Sequence, residues 1–238
     1  MLSKNKIKLI NSLSRKKIRQ QLGLFVVEGI KGIEEFLNSK FELEALYVTE
    51  NLFYQECHEI TQIELQKISQ LKSPNKALAV FQLPAVKKLN LDGLILALDD
   101  LRDPGNLGTI IRLCDWYGIN QIICSLSTVD CYNPKVVQAT MGSLTRVNLH
   151  YQDLNECLKD YSYDVFGTFM QGNNIYKENL PEQGIIIMGN EANGISENIE
   201  KLVNKKLCIP QFGALNAAES LNVATAAAVV LSEFRRNF

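Results

Sequence analysis

From Leu94 onward, uninterrupted apolar runs alternate with helical stretches, and this alternation leaves few folds open. Residues 94–98, 121–125, 147–151, 164–169, 184–188 and 207–209 read as strands. Helices are predicted over 107–117, 135–141, from near 196, and over 220–236, with Gly118 closing the first as a C-terminal cap. Strands apolar on both faces belong in a mostly parallel sheet covered by helices on both sides. The expected class is therefore α/β, and in such sheets ligands bind beyond the carboxyl ends of the strands.

The earlier part of the chain is organised differently. A basic amphipathic start leads to a strand at 24–28, a helix at 30–37, a strand at 45–49 and an apolar stretch at 77–82. Pro84, Lys87, Lys88, Asn90 and Gly93 then punctuate a linker. The expected division is a small α/β domain over 1–85, a linker over 86–93 and a larger domain over 94–238.

Net charge is −1, so global charge is silent about nucleic acid, but its distribution is not. The first twenty residues carry Lys4, Lys6, Lys8, Arg15, Lys16, Lys17 and Arg19 and no acid. Such an arm is either a phosphate-contacting surface or a solvated helix face. On the first alternative, Lys4, Arg15, Lys16, Lys17 and Arg19 are the candidate contacts.

Several classes lose support. No apolar run reaches bilayer length, and the first residues lack the apolar centre of a signal peptide, so a soluble cytoplasmic protein is expected. Six cysteines without a CxxC pair, beside two histidines, read as free thiols in a reducing compartment rather than as a metal site. No G-x-x-x-x-G-K-[ST] supports a P-loop enzyme. No G-x-G-x-x-G follows a strand, which removes the main support for a dinucleotide oxidoreductase.

Three loops after strands are rich in Gly, Asn, Asp and Glu. The first runs from Asp99 to Gly108 ahead of Arg112, the second from Met188 to Gly194, and the third from Ile209 through Gly213 to Asn222. One such loop is a turn; three in one domain point to a ligand pocket.

The chain resembles the SpoU/TrmH family of RNA 2′-O-ribose methyltransferases, within the SPOUT superfamily. The resemblance rests on Asn106-x-Gly108-x-x-x-Arg112, on Gly189-x-Glu191-x-x-Gly194, and on Ile209-Pro210 followed by Ser220-Leu221-Asn222. The opening, LFVVEGIKGIEEFL followed by LEALYVTE, is similar to the family's small substrate-binding domain. The resemblance implies a deep trefoil knot in the second domain, an S-adenosyl-L-methionine pocket, a homodimer, no metal, and rRNA or tRNA as substrate. None of these follows from periodicity, since knots are nearly absent among folds.

By the same resemblance, Thr168, Gly189, Ile209 and Leu221 are the candidate cofactor-binding residues. Arg112, Asn106, Glu191, Ser220 and Asn222 are the candidate catalytic residues. Arginine is a poor base because it stays charged, so Arg112 is expected to hold the substrate phosphate and stabilise the developing alkoxide. Proton removal is left open. Asn106 and Arg112 do not share a helical face, which predicts that Asn106 sits in the loop before the helix. Glu191 is expected to hold Arg112 or a loop; Ser220 and Asn222 stand where the last helix needs a cap. The chain departs from the family between Gly213 and Ser220, where six residues make the rim longer than usual. Ala224, Ala226, Ala227 and Ala228 suit close packing, in the core or against a second copy. A non-catalytic RNA-binding protein of the same fold is the competing reading, and the intact polar set argues against it.

Overall fold

A computed structural model describes residues 1–213 and 220–237. In chain order the elements begin α1 (Lys4–Ser12), α2 (Lys16–Leu22), β1 (Leu24–Glu28), α3 (Ile30–Leu37), β2 (Leu43–Val48), β3 (His58–Glu59), α4 (Gln62–Ile68) and β4 (Ala77–Gln82). Then come β5 (Leu94–Leu98), α5 (Pro104–Trp116), β6 (Gln121–Cys124), α6 (Pro134–Thr140), β7 (Asn148–Tyr151) and α7 (Leu154–Leu158). The rest are β8 (Val165–Asn174), β9 (Gly184–Met188), α8 (Glu197–Glu200), β10 (Lys205–Cys208) and α9 (Val223–Arg235). Among the described residues, no helix is long and apolar enough to cross a membrane.

The chain forms two compact units. The first joins Met1–Lys87 to Asp130–Thr145; the second joins Lys88–Val129 to Arg146–Phe238. The first unit thus takes in a segment that lies beyond the expected linker.

In the first unit, the sheet order is β1-β4-β2-β3, antiparallel except between β2 and β3. Alternate residues of β1 and β4 face opposite sides. Val26 and Val80 join Ile10 and Leu13 below α1 and Leu65 and Ile68 of α4. On the other side Phe25 meets Phe36, Phe41, Phe81 and Tyr132, the last at 4.8 Å between ring centroids. Tyr132 and α6, which packs on β1, explain why residues from beyond the linker belong here. A capping box opens α4: Glu64 N–H donates to the Thr61 hydroxyl, and the Glu64 carboxylate accepts from Thr61 N and, at 2.7 Å, from Leu2 N.

Arg19 corrects one expectation. It is 2% exposed, its guanidinium donating to Leu13 O at 2.8 Å and Ser14 O at 2.9 Å and pairing with Asp130. A buried charge needs partners on every side it leaves water. Its role is therefore to close the turn between α1 and α2, not to meet phosphate. Lys4, Arg15, Lys16 and Lys17 are exposed.

In the second unit, six parallel strands take the order β10-β8-β9-β5-β6-β7. Ile95, Ala97, Ile185 and Ile187 pack against Leu154 and Leu158 of α7, Ile195 just ahead of α8 and Ile199 within it. On the opposite face α5 packs with α9, and Phe166 meets Phe234 edge-on at 5.1 Å. Helices cover both faces, as the apolar strands require. From β5 the chain runs outward through β6 and β7, then returns to build β8, β9 and β10 on the other side. The order reverses between β5 and β9, so the loops after these two strands flank a topological switch point.

Two local differences from the sequence reading matter. β8 extends to Asn174, with a register shift against β10 between Lys206 and Leu207. Helix α5 starts at Pro104, three residues earlier than expected, because Asp103 caps it and proline is suited to a first helical position. Asn106 is therefore inside the first turn of the helix and not in the preceding loop.

Candidate active site

The loop after β5 is shaped by its acids. Asp99 is buried and accepts from Ser196 N at 2.8 Å, tying this loop to the start of α8. Asp100 holds φ 57°, an uncommon conformation for a residue with a Cβ. Asn190, just past β9, donates its side-chain amide to Asp100 O at 2.7 Å and to the Asp100 carboxylate at 3.3 Å. The Arg102 guanidinium, hydrogen-bonded and ion-paired to Asp100, holds that carboxyl below the usual carboxylate range.

The loop after β9 turns tightly. Asn190 and Gly194 exchange two backbone hydrogen bonds, both 2.9 Å. A Cβ on Gly189 would stand 2.2 Å from the Gly194 carbonyl carbon, so no larger residue fits this backbone. The Asn190 side-chain oxygen accepts from Ala192 N and Asn193 N, which directs Glu191 outward towards α5.

From these loops a directed chain of hydrogen bonds is assembled. Asn222 caps α9, its Oδ1 accepting from Ala224 N at 2.9 Å and Thr225 N at 3.2 Å. With the oxygen committed to the helix, only the Asn222 amide nitrogen is left to donate, and it meets Asn106 Oδ1 at 2.9 Å. The Asn106 amide nitrogen then donates to Glu191 Oε1 at 3.1 Å. Glu191 also accepts from Asp103 N at 3.2 Å and Arg102 N at 3.4 Å. A helix cap thus fixes the orientation of an amide on a second helix, and a carboxylate from the loop after β9 receives it.

The remaining candidates stand as follows. Arg112 is exposed on α5 and makes no hydrogen bond or ion pair with any described residue. It lies about 120° around the helix from Asn106, outside the chain of amides. Glu191 does not hold Arg112; it holds the start of α5. Ser220 is exposed ahead of α9. Gly189 and Ile209 are half-buried just beyond the carboxyl ends of β9 and β10, and Thr168 is half-buried within β8, immediately after the stretch that pairs with β9. The Thr168 hydroxyl donates to Ile187 O at 3.1 Å. Leu221 is 50% exposed. The rim expected to be longer, Ala214 to Glu219, lies outside the described residues.

Asp103, Asp100 and Asn190 were not singled out in the sequence. Asp-Pro before a helix was the available signal for Asp103, as N-cap and first helical residue.

The SpoU rRNA Methylase family model matches residues 93–232, and an MRM3-like substrate binding domain model matches residues 4–79. The first covers more than half of the chain. This chain belongs to the SpoU/TrmH family. The SpoU match spans the switch-point loops, and the substrate-domain match spans the first unit up to β4. The 23S rRNA (guanosine(2553)-2′-O)-methyltransferase RlmP of Bacillus subtilis is 29% identical over 97% of this chain and 96% of its own length. A solved structure of a putative RNA methyltransferase of the TrmH family from Porphyromonas gingivalis is 36% identical, covers both chains fully and superposes with a TM-score of 0.90. An AdoMet-bound rRNA methyltransferase from Sinorhizobium meliloti is 25% identical, with a TM-score of 0.88 over all of this chain and 96% of that one.

Proposed function

We propose that this SpoU-family chain methylates a ribose 2′-hydroxyl of rRNA or tRNA, using S-adenosyl-L-methionine. The observation that carries the reading is the Asn222–Asn106–Glu191 chain, which draws three distant family motifs together at the switch point of a parallel sheet.

The candidate lining residues on β8 and after β9 and β10 fit such a cofactor. Thr168, Gly189 and Ile209 offer a hydroxyl, backbone and an aliphatic side chain without a charge, and Leu221 leaves half of an apolar side chain uncovered. A neutral, partly apolar lining with backbone donors and acceptors suits an adenosine. When bound, S-adenosyl-L-methionine supplies an electrophilic methyl group.

The chain's own residues do the rest. Arg112 is unpaired among the described residues and always charged, so it is available to take the phosphate of the acceptor nucleotide and to offset negative charge growing on the 2′-oxygen. Asn106, held at both ends, ties the first turn of α5 to Asn222 and Glu191 and so positions the loops around the acceptor. Glu191 is a positioning residue: its oxygens are occupied by Asn106 and the backbone of Arg102 and Asp103. Ser220 and Asn222 border the site from the start of α9, and Asn222 combines this with capping. Such fixed placement contributes much of the acceleration of a two-substrate transfer.

The same reading carries the trefoil knot in the C-terminal unit, a cytoplasmic location and a homodimer. Ala226 and Ala228 stay half-buried on α9, small side chains that would allow close approach of a second copy. It also assigns RNA binding to the domain over 1–85, joined by a linker over 86–93 to the methyltransferase domain over 94–238, with Lys4, Arg15, Lys16 and Lys17 on phosphates. The test is transfer of labelled methyl from S-adenosyl-L-methionine to rRNA and tRNA from cells lacking the gene. Methylation at ribose that disappears in Arg112→Ala while cofactor binding persists is the expected result. Failure of the wild-type chain to label either RNA would end the reading.

A further inference from the structure

The basic start of the chain is more than a charged arm. On α1, Asn5, Lys8, Leu9 and Ser12 follow the i, i+3, i+4, i+7 spacing of one helix face. With Arg15 and Leu22 of the α2 segment they line a groove of about 640 Å³. Its walls differ in character. Lys8 and Arg15 are exposed cations, and no acid occurs in the chain before Glu28. Leu22 is 44% exposed and Leu9 half-buried, so the groove also presents apolar surface. The turn joining the two helices is held from beneath by Arg19 through Leu13 O, Ser14 O and Asp130, so its shape exists before any ligand arrives.

Phosphates alone would need only the cations. Duplex RNA is met mainly through its phosphates and 2′-hydroxyls, with bases stacked out of reach, so an apolar wall gains nothing there. Unpaired RNA instead exposes base faces to apolar cover and base edges to amides and hydroxyls. The volume suits a nucleotide or two.

We propose that the α1–α2 groove binds an unpaired stretch of the substrate RNA. Lys8 and Arg15 take phosphates, Leu9 and Leu22 cover a base face, and Asn5 and Ser12 meet base edges. The proposal rests on the RNA methyltransferase reading, and names the part of the substrate that the first unit recognises.

The test uses the full chain and a fluorescent single-stranded RNA of mixed sequence, the same RNA as a duplex, and the wild type beside Lys8→Ala, Arg15→Ala, Leu22→Ser and the control Lys72→Ala, an exposed lysine that does not line the groove. The single strand should bind at least tenfold more tightly than the duplex. Lys8→Ala and Arg15→Ala should each lower the slope of log affinity against log salt by about 0.7. Leu22→Ser should weaken single-strand binding by about tenfold with the slope unchanged, because it removes apolar contact and no charge. Lys72→Ala should change neither. In methyl transfer the groove variants should raise KM for RNA and leave cofactor affinity unaltered. Duplex binding as tight as single-strand binding, or a Leu22→Ser protein indistinguishable from wild type, would overturn the groove while leaving methyl transfer intact. Absence of methyl transfer by the wild type would instead remove the reading beneath it.

Discussion

Asn106 donates its side-chain amide to Glu191, 85 positions further along the chain, at 3.1 Å. The bond matters because it is directional: Asn222, bound to the start of α9, has already claimed the Asn106 oxygen. Replacing Asn106 by Asp removes the donor and sets a carboxylate against Glu191. Like charges at that distance repel, so the start of α5 and the loop after β9 should part. A displacement of about 1 Å in such a site costs on the order of a hundredfold in rate. The expected outcome is a fall of that size in kcat for Asn106→Asp, with Glu191→Gln in the same background recovering part of it. If the double variant is no better than the single one, the two side chains are not coupled as described.

Arg112, exposed on α5 about 120° around the helix from Asn106, carries the proposed acceptor role. Arg112→Ala should lower methyl transfer by roughly 10²- to 10³-fold, the usual loss when a group stabilising developing charge is removed. Arg112→Lys should recover little, because an ammonium lacks the planar fork that meets a phosphate with two donors. Calorimetry with S-adenosyl-L-methionine should show unchanged affinity in both. A cofactor affinity that falls in step with activity would move Arg112 from the acceptor side to the cofactor side.

How much of this was legible beforehand depended on whether a residue's role was set locally. The parallel sheet was readable because strands buried on both faces have no polar alternation, and 94–98 and 184–188 carry no polar side chain at all. The three loops were readable as sites because polar and glycine residues accumulate where strands end. The placement of Asn106 was not: the apolar periodicity starts only at Leu107, whereas Asp103-Pro104 is a cap followed by a first helical residue. Arg19 failed for a different reason. Charge counting treats every basic residue in an arm alike, and what buries Arg19 is Asp130, a partner 111 positions away that no local pattern reveals. The six residues from Ala214 to Glu219, expected to lengthen the rim of the third loop, stand outside the described residues.

Arg19 accordingly carries a structural prediction. Breaking a buried ion pair by removing one partner typically costs about 3–5 kcal/mol, because the other charge is left without compensation. Asp130→Ala should therefore lower the denaturation midpoint of the first unit substantially, followed by tryptophan-independent far-ultraviolet dichroism. Lys17→Ala, exposed on the same helix, should leave it nearly unchanged. Equal effects of the two substitutions would return Arg19 to the surface.

Glu64 makes a pH-dependent contribution to the same unit. Backbone hydrogen bonds from Thr61 and Leu2 stabilise its charged form and bring its pKa from 4.5 down to about 2. A carboxyl depressed on folding favours the folded state above its unfolded pKa, and loses that contribution as pH falls through the folded value. The difference in melting temperature between wild type and Glu64→Ala should thus be full above about pH 5 and shrink steadily towards pH 2. A difference that stays constant over this range would mean that the substitution acts through packing or helix propensity, and not through the charge on the cap.

Gly189 tests the backbone of the site directly. Its missing Cβ leaves room for the Gly194 carbonyl carbon and Ile195 N, each of which a methyl group would approach within 2.3 Å. Such contacts are with backbone and cannot be relieved by rotating a side chain, so Gly189→Ala must move the turn from Asn190 to Gly194 away from the end of β9. Asn190 would then lose its hold on Asp100, and Glu191 its hold on Asn106. Cofactor affinity and methyl transfer should fall together, unlike the split expected for Arg112→Ala, while unit one keeps its stability. Retention of wild-type cofactor affinity in folded Gly189→Ala protein would show that the turn is free to relax without disturbing the strand ends, and Gly189 would then have no part in the pocket.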